Sequence, residues 1–400
     1  MKEKLFRIFD YGSEYSLYGM ILFMPISNAG IESFFGFAFL FFLLKKALKP
    51  DFGFLRSTAC LFLLFFIFFL SLSLFNSGPY LQKSLSSLFF KWAEYILIFV
   101  ITQDTLRSAK RIRNSLIILL VIAAVVGIDG LFQRFIGVDF LRHKKIISLW
   151  GETMLHGIGI TGPFQHYNSF GTYLMFNLSL LLVLLISIKD KIYKISLFML
   201  FVLLQACFIL TFSRGSWLGF LCGVFLLLLL YRKVNKLVLI FTIYIILIIF
   251  FPGSKGRSML VDADRFTVWK GAFGMIKDHP FLGMGLGTFM DYFQEYVSKD
   301  MYLRYTHNCY LQIWAESGIF ALVSFILFCG SVMYKGIKAF KNNNSNFVLL
   351  GFICAFFGFL VQIFFDSQLY SLQLSALFWF IAGFIMALAR LRENAPLITK

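Results

Sequence analysis

Charge is what this sequence has least of. Of its 400 residues only 14% are Asp, Glu, Lys or Arg, whereas 59% are hydrophobic and 19% aromatic, with a mean hydropathy of +0.81. A soluble domain cannot bury that much apolar side chain, so the composition excludes one. The residue-by-residue alternation of an outer-membrane barrel is missing as well. The apolar runs are long and continuous, which leaves an all-α, polytopic membrane protein. No Cys-x-x-C occurs. The six cysteines (Cys60, Cys207, Cys222, Cys309, Cys329 and Cys354) lie in or beside apolar runs, as small buried hydrophobes rather than disulfides or zinc ligands. A P-loop is absent, so ATP-driven chemistry has no seat. Met1–Asp10 is basic and polar and leads into a run containing Pro25, a pattern without a cleavable signal peptide.

The charge that remains is one-sided. Thirty-seven basic residues face twenty acidic ones, a net +17. Their placement argues against nucleic acid, because most basic residues fall in short loops between apolar spans. Twelve spans are expected, near 15–28, 32–44, 54–75, 85–102, 113–135, 166–188, 195–212, 216–231, 237–251, 308–333, 347–365 and 371–389. The first two are short and read as a hairpin kinked at Pro25. Lys2, Lys4 and Arg7, four basic residues each in 45–56 and 107–113, and three each in 189–194, 232–236, 335–341 and 390–400 make 23 of the 37. That face, with both termini, is expected to be cytoplasmic. The chain then divides into spans one to nine (1–251), a large external loop (252–307) and spans ten to twelve (308–400).

Polar residues inside the spans are few. Lys91 and Glu94 are three apart and expected to pair on one helix face. Asp129, Gln133 and Arg134 mark the external end of span five, and Asn168 begins span six. For each, an internal lock between helices is the expected role.

The polar block Pro252–Gly318 is where water and soluble groups can reach. Asp262–Lys277 reads as one helix, with Phe266, Trp269, Phe273 and Ile276 as an apolar stripe lying on the outer membrane surface. Arg265 is then either a solvated residue on that anchor or a functional cation. Gly283, Gly285 and Gly287 follow no strand, so they make a tight turn rather than a dinucleotide site. His307 stands at the mouth of span ten. Asn308, Gln312 and Glu316 follow at four-residue spacing on one face, reaching about 12 Å inward. Such a stripe must face protein or a water-filled cavity. His307 is either a helix cap above a hydrogen-bond ladder or part of a site; Arg214 and Arg265 on the same membrane face favour the site.

These motifs together resemble the O-antigen ligase family. They are Phe212-Ser213-Arg214-Gly215-Ser216-Trp217, Arg265-Phe266-Thr267-Val268-Trp269, Pro280–Phe289, His307-Asn308 with Leu311-Gln312, and Glu316-Ser317-Gly318. Thr161-Gly162-Pro163-Phe164 with Asn168 is similar to the start of that family's sixth span. The motifs cover about 160–320; the N-terminal spans match in hydropathy only. The resemblance implies a metal-independent, inverting glycosyltransferase of GT-C type without a cofactor. Its donor would be a glycan on undecaprenyl pyrophosphate, drawn from the membrane lipids, and its acceptor a hydroxyl, typically of lipid A–core oligosaccharide. Arg214 and Arg265 would hold the pyrophosphate, and His307 would be the base. Asn308, Gln312, Glu316, Asn168 and Asp366 would be supporting polar groups. No Asp-x-Asp occurs in the first external loop, unlike many other GT-C enzymes. The resemblance does not choose among ligase, O-antigen polymerase and protein O-glycosylating enzyme. A secondary transporter is the reading from another class, but neither midplane charges nor an internal repeat supports it.

Overall fold

The computed structural model of the chain describes residues 1–145, 159–231, 258–297, 305–342 and 346–391, with backbone alone over 258–264. The expected ninth span, at 237–251, lies outside them. The described residues are helical, with a single isolated bridge between Val138 and Lys145. In chain order the helices are α1 (Lys2–Phe23), α2 (Asn28–Leu48), α3 (Thr58–Leu72), α4 (Leu81–Ser87), α5 (Ala93–Thr105), α6 (Ala109–Ile136), α7 (Tyr167–Ser187), α8 (Lys191–Leu210) and α9 (Arg214–Leu230). After them come α10 (Ser258–Asp278), α11 (Phe289–Phe293), α12 (Cys309–Asn342), α13 (Phe347–Gln362) and α14 (Leu372–Arg390). Seven described segments are long and apolar enough to cross a membrane, and α9 and α13 are shorter apolar helices.

Side-chain caps set several starts. Ser27, Ser57, Ser108, Asp190 and Asn346 each accept a backbone N–H of the following first turn. Pro25 does not kink a helix as expected. It falls after α1 has ended, because a proline lacks the N–H that another turn would need.

Helices α7 and α14 form the centre. Their apolar spans are 83% and 89% buried, whereas that of α8 is 17% buried and faces outward. Aromatic contacts fill the seam: Phe352 stacks on Phe384 at 4.0 Å, and Trp379 lies against Phe328 at 5.1 Å. Where α9 crosses α13 the backbones almost touch. A Cβ on Gly219 would sit 2.6 Å from the Gly358 carbonyl oxygen, so small residues set the spacing. One end of the bundle is tied by ions. Asp104, fully buried, takes Lys45, Lys46 and Arg107, while Asp10 joins Lys45 to Arg111.

Two expected features change. Lys91 and Glu94 form no pair: Lys91 is exposed and Glu94 Oε1 is buried without a hydrogen-bond partner among the described residues. A π-turn at Leu88–Trp92 is the reason, since its wider winding breaks the three-residue stacking of an α-helix. The second change is in α12, which breaks at Gly318 (φ 82°, ψ 173°). The freed carbonyls of Ala315 and Glu316 accept Met284 and Gly285 N–H, at 2.9 and 3.0 Å, and Ile319 N–H reaches Pro280 O at 3.0 Å. The glycine turn is thus a plug seated in a broken helix.

Gly318→Ala should destabilise the protein by about 2–4 kcal/mol, through the strained φ and the clash together. The added Cβ would lie 1.9 Å from Phe281 O. A detergent-solubilised variant that melts like the parent would show the break to be dispensable.

Candidate functional site

Three segments meet above the plug. The first is the α8–α9 turn. Phe212 adopts a left-handed φ of 53°, which turns the chain sharply enough for Arg214 to open α9. Ser213 Oγ donates to Asn168 Oδ1 at 2.8 Å and lies 2.9 Å from Ser216 Oγ. Asn168 is therefore a lock between α7 and the Arg214 turn. Arg214 itself is exposed, at a helix N-terminus whose free N–H groups favour an anion. The neighbouring Gly215 abuts Phe365, where a Cβ would come within 3.1 Å of the phenylalanine Cβ.

The second segment is α10. The expected stripe is split. Val268, Ala272, Met275 and Ile276 are buried against Phe289, Phe293, Leu311 and Ala315, with Trp269 beside them. Phe266 and Phe273 point away, 71% and 53% exposed. Two apolar sets share the helix, one for protein and one for its outer surface. Trp269 Nε1 donates to Thr306 O at 3.0 Å, and its ring lies 6.2 Å from that of Phe364. Arg265 is one turn before this anchor, half-buried, and its Nε has no acceptor among the described residues. A buried donor of this kind costs free energy until an acceptor arrives.

His307 is the third. It too has a left-handed φ, 53°, and its Nδ1 lies 3.1 Å from Asp366 Oδ1. Asp366 also accepts Ser367 N–H at 2.8 Å and Gln368 Nε2 at 2.9 Å, and Ser169 Oγ donates to Gln368 Oε1 at 3.1 Å. Burial pushes the Asp366 carboxyl up. The hydrogen bond and charge of His307, with His166 and the Ser367 N–H, outweigh it and hold the group below the usual carboxylate range. The fold thus favours the ionised form. Its stabilising contribution is present above the unfolded carboxylate pKa of about 3.9 and lost as pH falls through the lower folded value. A carboxylate can only accept, so the proton of neutral His307 sits on Nδ1 and Nε2 keeps its lone pair. The imidazole is 36% exposed.

The polar stripe below His307 faces protein. Gln312 Oε1 accepts Thr306 N–H at 3.2 Å, and its Nε2 donates to Glu316 Oε1 at 3.1 Å. Glu316 Oε2 takes Gly287 N–H at 3.1 Å and Tyr370 O–H at 3.3 Å. Asn308 Oδ1 caps the first turn of α12 at Leu311 N. Asn308 therefore caps the mouth of α12, while Gln312 and Glu316 hold it to the plug and to the α13–α14 loop. The expected locks between helices at the end of span five are instead ties from α6 to neighbouring loops. Asp129 accepts Phe140 and Leu141 N–H, and Gln133 accepts Thr161 and Gly162 N–H. Among the described residues no three His, Cys, Asp or Glu side chains gather as metal ligands would.

Residues 198–326 match the family model described as O-antigen ligase. Over that third of its length the chain is similar to the O-antigen ligase family. The matched region contains Arg214, Arg265 and His307, whereas Asn168 and Asp366 lie outside it. A Haemophilus influenzae protein described only as uncharacterized is 25% identical over 254 residues, which are 56% of this chain and 59% of that protein. The chain thus spans about three fifths of the curated relative it matches. Sequence reasoning left out Gln368, Ser169 and His166, which join the network around Asp366. Asp366-Ser367-Gln368 is a polar break between two apolar helices, and that was the available signal.

Asp366→Asn should shift the imidazole of His307 toward the Nε2–H tautomer, because an amide can donate where a carboxylate only accepts. Nitrogen NMR of labelled histidine in the purified protein reads this directly. An unchanged Nδ1–H population would mean the pair does not set the tautomer.

Proposed function

We propose that the protein transfers a glycan from undecaprenyl pyrophosphate to a hydroxyl acceptor, most plainly one on lipid A–core oligosaccharide. The observation that carries this reading is the His307–Asp366 pair, with the Arg214 turn and the Arg265 helix packed against its flanks. The acceptor oxygen attacks the anomeric carbon as its proton passes to His307 Nε2. The bond from that carbon to the pyrophosphate oxygen breaks on the opposite face, with inversion, and its electron pair leaves on the lipid pyrophosphate. Asp366 stabilises the imidazolium that forms and keeps the ring oriented. Arg214 and Arg265 neutralise the departing phosphates through forked, bidentate contacts. In this reading two guanidinium groups do the work that a divalent metal does in other transferases.

The reading places the protein in the bacterial inner membrane as a GT-C-type enzyme of twelve spans, with 252–307 periplasmic and both termini cytoplasmic. Support comes from the family match and from the basic bias at the opposite loops. The same chemistry would serve a polymerase, whose acceptor is a second lipid-linked repeat, so the acceptor used in the assay names the branch.

Purified protein with lipid-linked donor, acceptor and excess EDTA tests the proposal. Transfer should proceed, and His307→Ala should lower turnover about 10²–10⁴-fold with donor affinity and melting temperature little changed. Arg214→Lys and Arg265→Lys should both be poorly active, since a point charge cannot reproduce a planar fork. A catalytically normal His307→Ala, or activity that returns only with magnesium, would refute the mechanism.

A further inference from the structure

At the far end of α12, roughly 40 Å of helix from His307, lies a cavity of about 420 Å³ that the transfer reaction does not use. It sits where the ends of α12 and α14 meet the start of α13 and the 53–57 turn. Arg56, Lys335, Lys338 and Arg390 line it, with Ser57 and Asn346 as neutral polar groups, and among the described residues that line it none is a carboxylate. Its volume falls within the roughly 300–1,000 Å³ of ordinary small-ligand pockets.

Basic residues at helix C-termini have a bland use, which is to balance the helix dipole. Magnitudes decide against that as the whole account. The ends of α12 and α14 bring about half a negative charge each, against four full positive charges. Among the described residues, the carboxylates whose charge reaches Arg390 are already taken: Asp104 by Lys45, Lys46 and Arg107, and Asp51 by Arg107. Arg390 is fixed on the wall, its Nη2 donating to Gln103 O at 2.6 Å while the guanidinium lies 5.6 Å over the Phe54 ring. Lys335 is half-buried, and Lys338 and Arg56 are exposed. A concave wall with this excess of cations attracts an anion, and the hydroxyl and amide supply neutral donors for its oxygens.

We infer that this cavity binds a phosphate-bearing anion, either the headgroup of an anionic membrane phospholipid or a soluble phosphate ester. Delipidated full-length protein in detergent tests it with two probes. Native mass spectrometry would compare cardiolipin with phosphatidylcholine, and thermal melting would follow added inorganic pyrophosphate. Cardiolipin retained in preference to phosphatidylcholine identifies the headgroup; a pyrophosphate-dependent rise in melting temperature identifies the soluble ester. In either case the double variant Lys335→Gln/Lys338→Gln should bind that probe about tenfold more weakly or worse, since each cation near a phosphate contributes on that scale. Should the double variant fail to fold, Arg56→Gln, on the 53–57 turn, must weaken binding of the same probe. Equal retention of both lipids with no response to pyrophosphate would overturn the inference, as would unweakened binding by the folded variants.

Discussion

The break in α12 is the constraint on which the rest of the site depends. Interrupting a helix leaves carbonyl and amide groups without partners, and a bilayer offers them none. Here the interruption at Gly318 is answered by the Pro280–Gly285 segment, which takes up the Ala315 and Glu316 carbonyls and supplies an acceptor to Ile319. Gly283 packs so tightly that a Cβ would fall 2.3 Å from the Glu316 carbonyl carbon. The α3–α4 connection clasps the segment, Asn76 donating to Gly283 O, and it also holds α11 behind it, where Tyr292 donates to Ser77 O and Lys83 of α4 pairs with Asp291. With the plug fixed, Glu316 and Gln312 have partners, the mouth of α12 is rigid, and His307 is held at its rim.

How far the site was legible in the sequence follows from the range of each interaction. His307, Arg214, Arg265 and Asn168 stand out because a polar residue beside long apolar runs needs a reason. The spacing of Asn308, Gln312 and Glu316 put them on one face of a helix, but spacing alone does not say whether that face meets water or protein. The answer came from Thr306 just before the stripe and from Ser367, Gly287 and Tyr370, which reach it from other parts of the chain. Asp366 was visible as a polar residue between two spans. Its partnership with His307 was not, since the two are 59 residues apart and meet only through the packing of α12 with the α13–α14 loop.

Local periodicity failed where the helix itself was irregular or carried two patterns. The Lys91–Glu94 pairing assumed α-helical winding, and the π-turn at Leu88–Trp92 removed it. In α10 a stripe read from the largest aromatics mixed two faces. The inner one is built from smaller residues, Val268, Ala272 and Met275, which a reading by bulk passes over. Pro25 was correctly taken as a disruption but assigned to the inside of a helix, when the cheaper place for a proline is just past its end.

The position of Asp366 in the chain also bears on biogenesis. Synthesis runs from the N-terminus at about 5–20 residues per second, so both arginines and the imidazole are made before the carboxylate that orients the ring. Gln368, which donates to that carboxylate, and Ser169, which donates to Gln368, bracket the interval: Ser169 belongs to the first half of the protein and Gln368 to the α13–α14 loop. Until α14 has followed Asp366 into the bundle, the nascent polypeptide holds the His307 ring without the carboxylate that fixes its tautomer. The ring that the proposed transfer would use is therefore the part of the site oriented last.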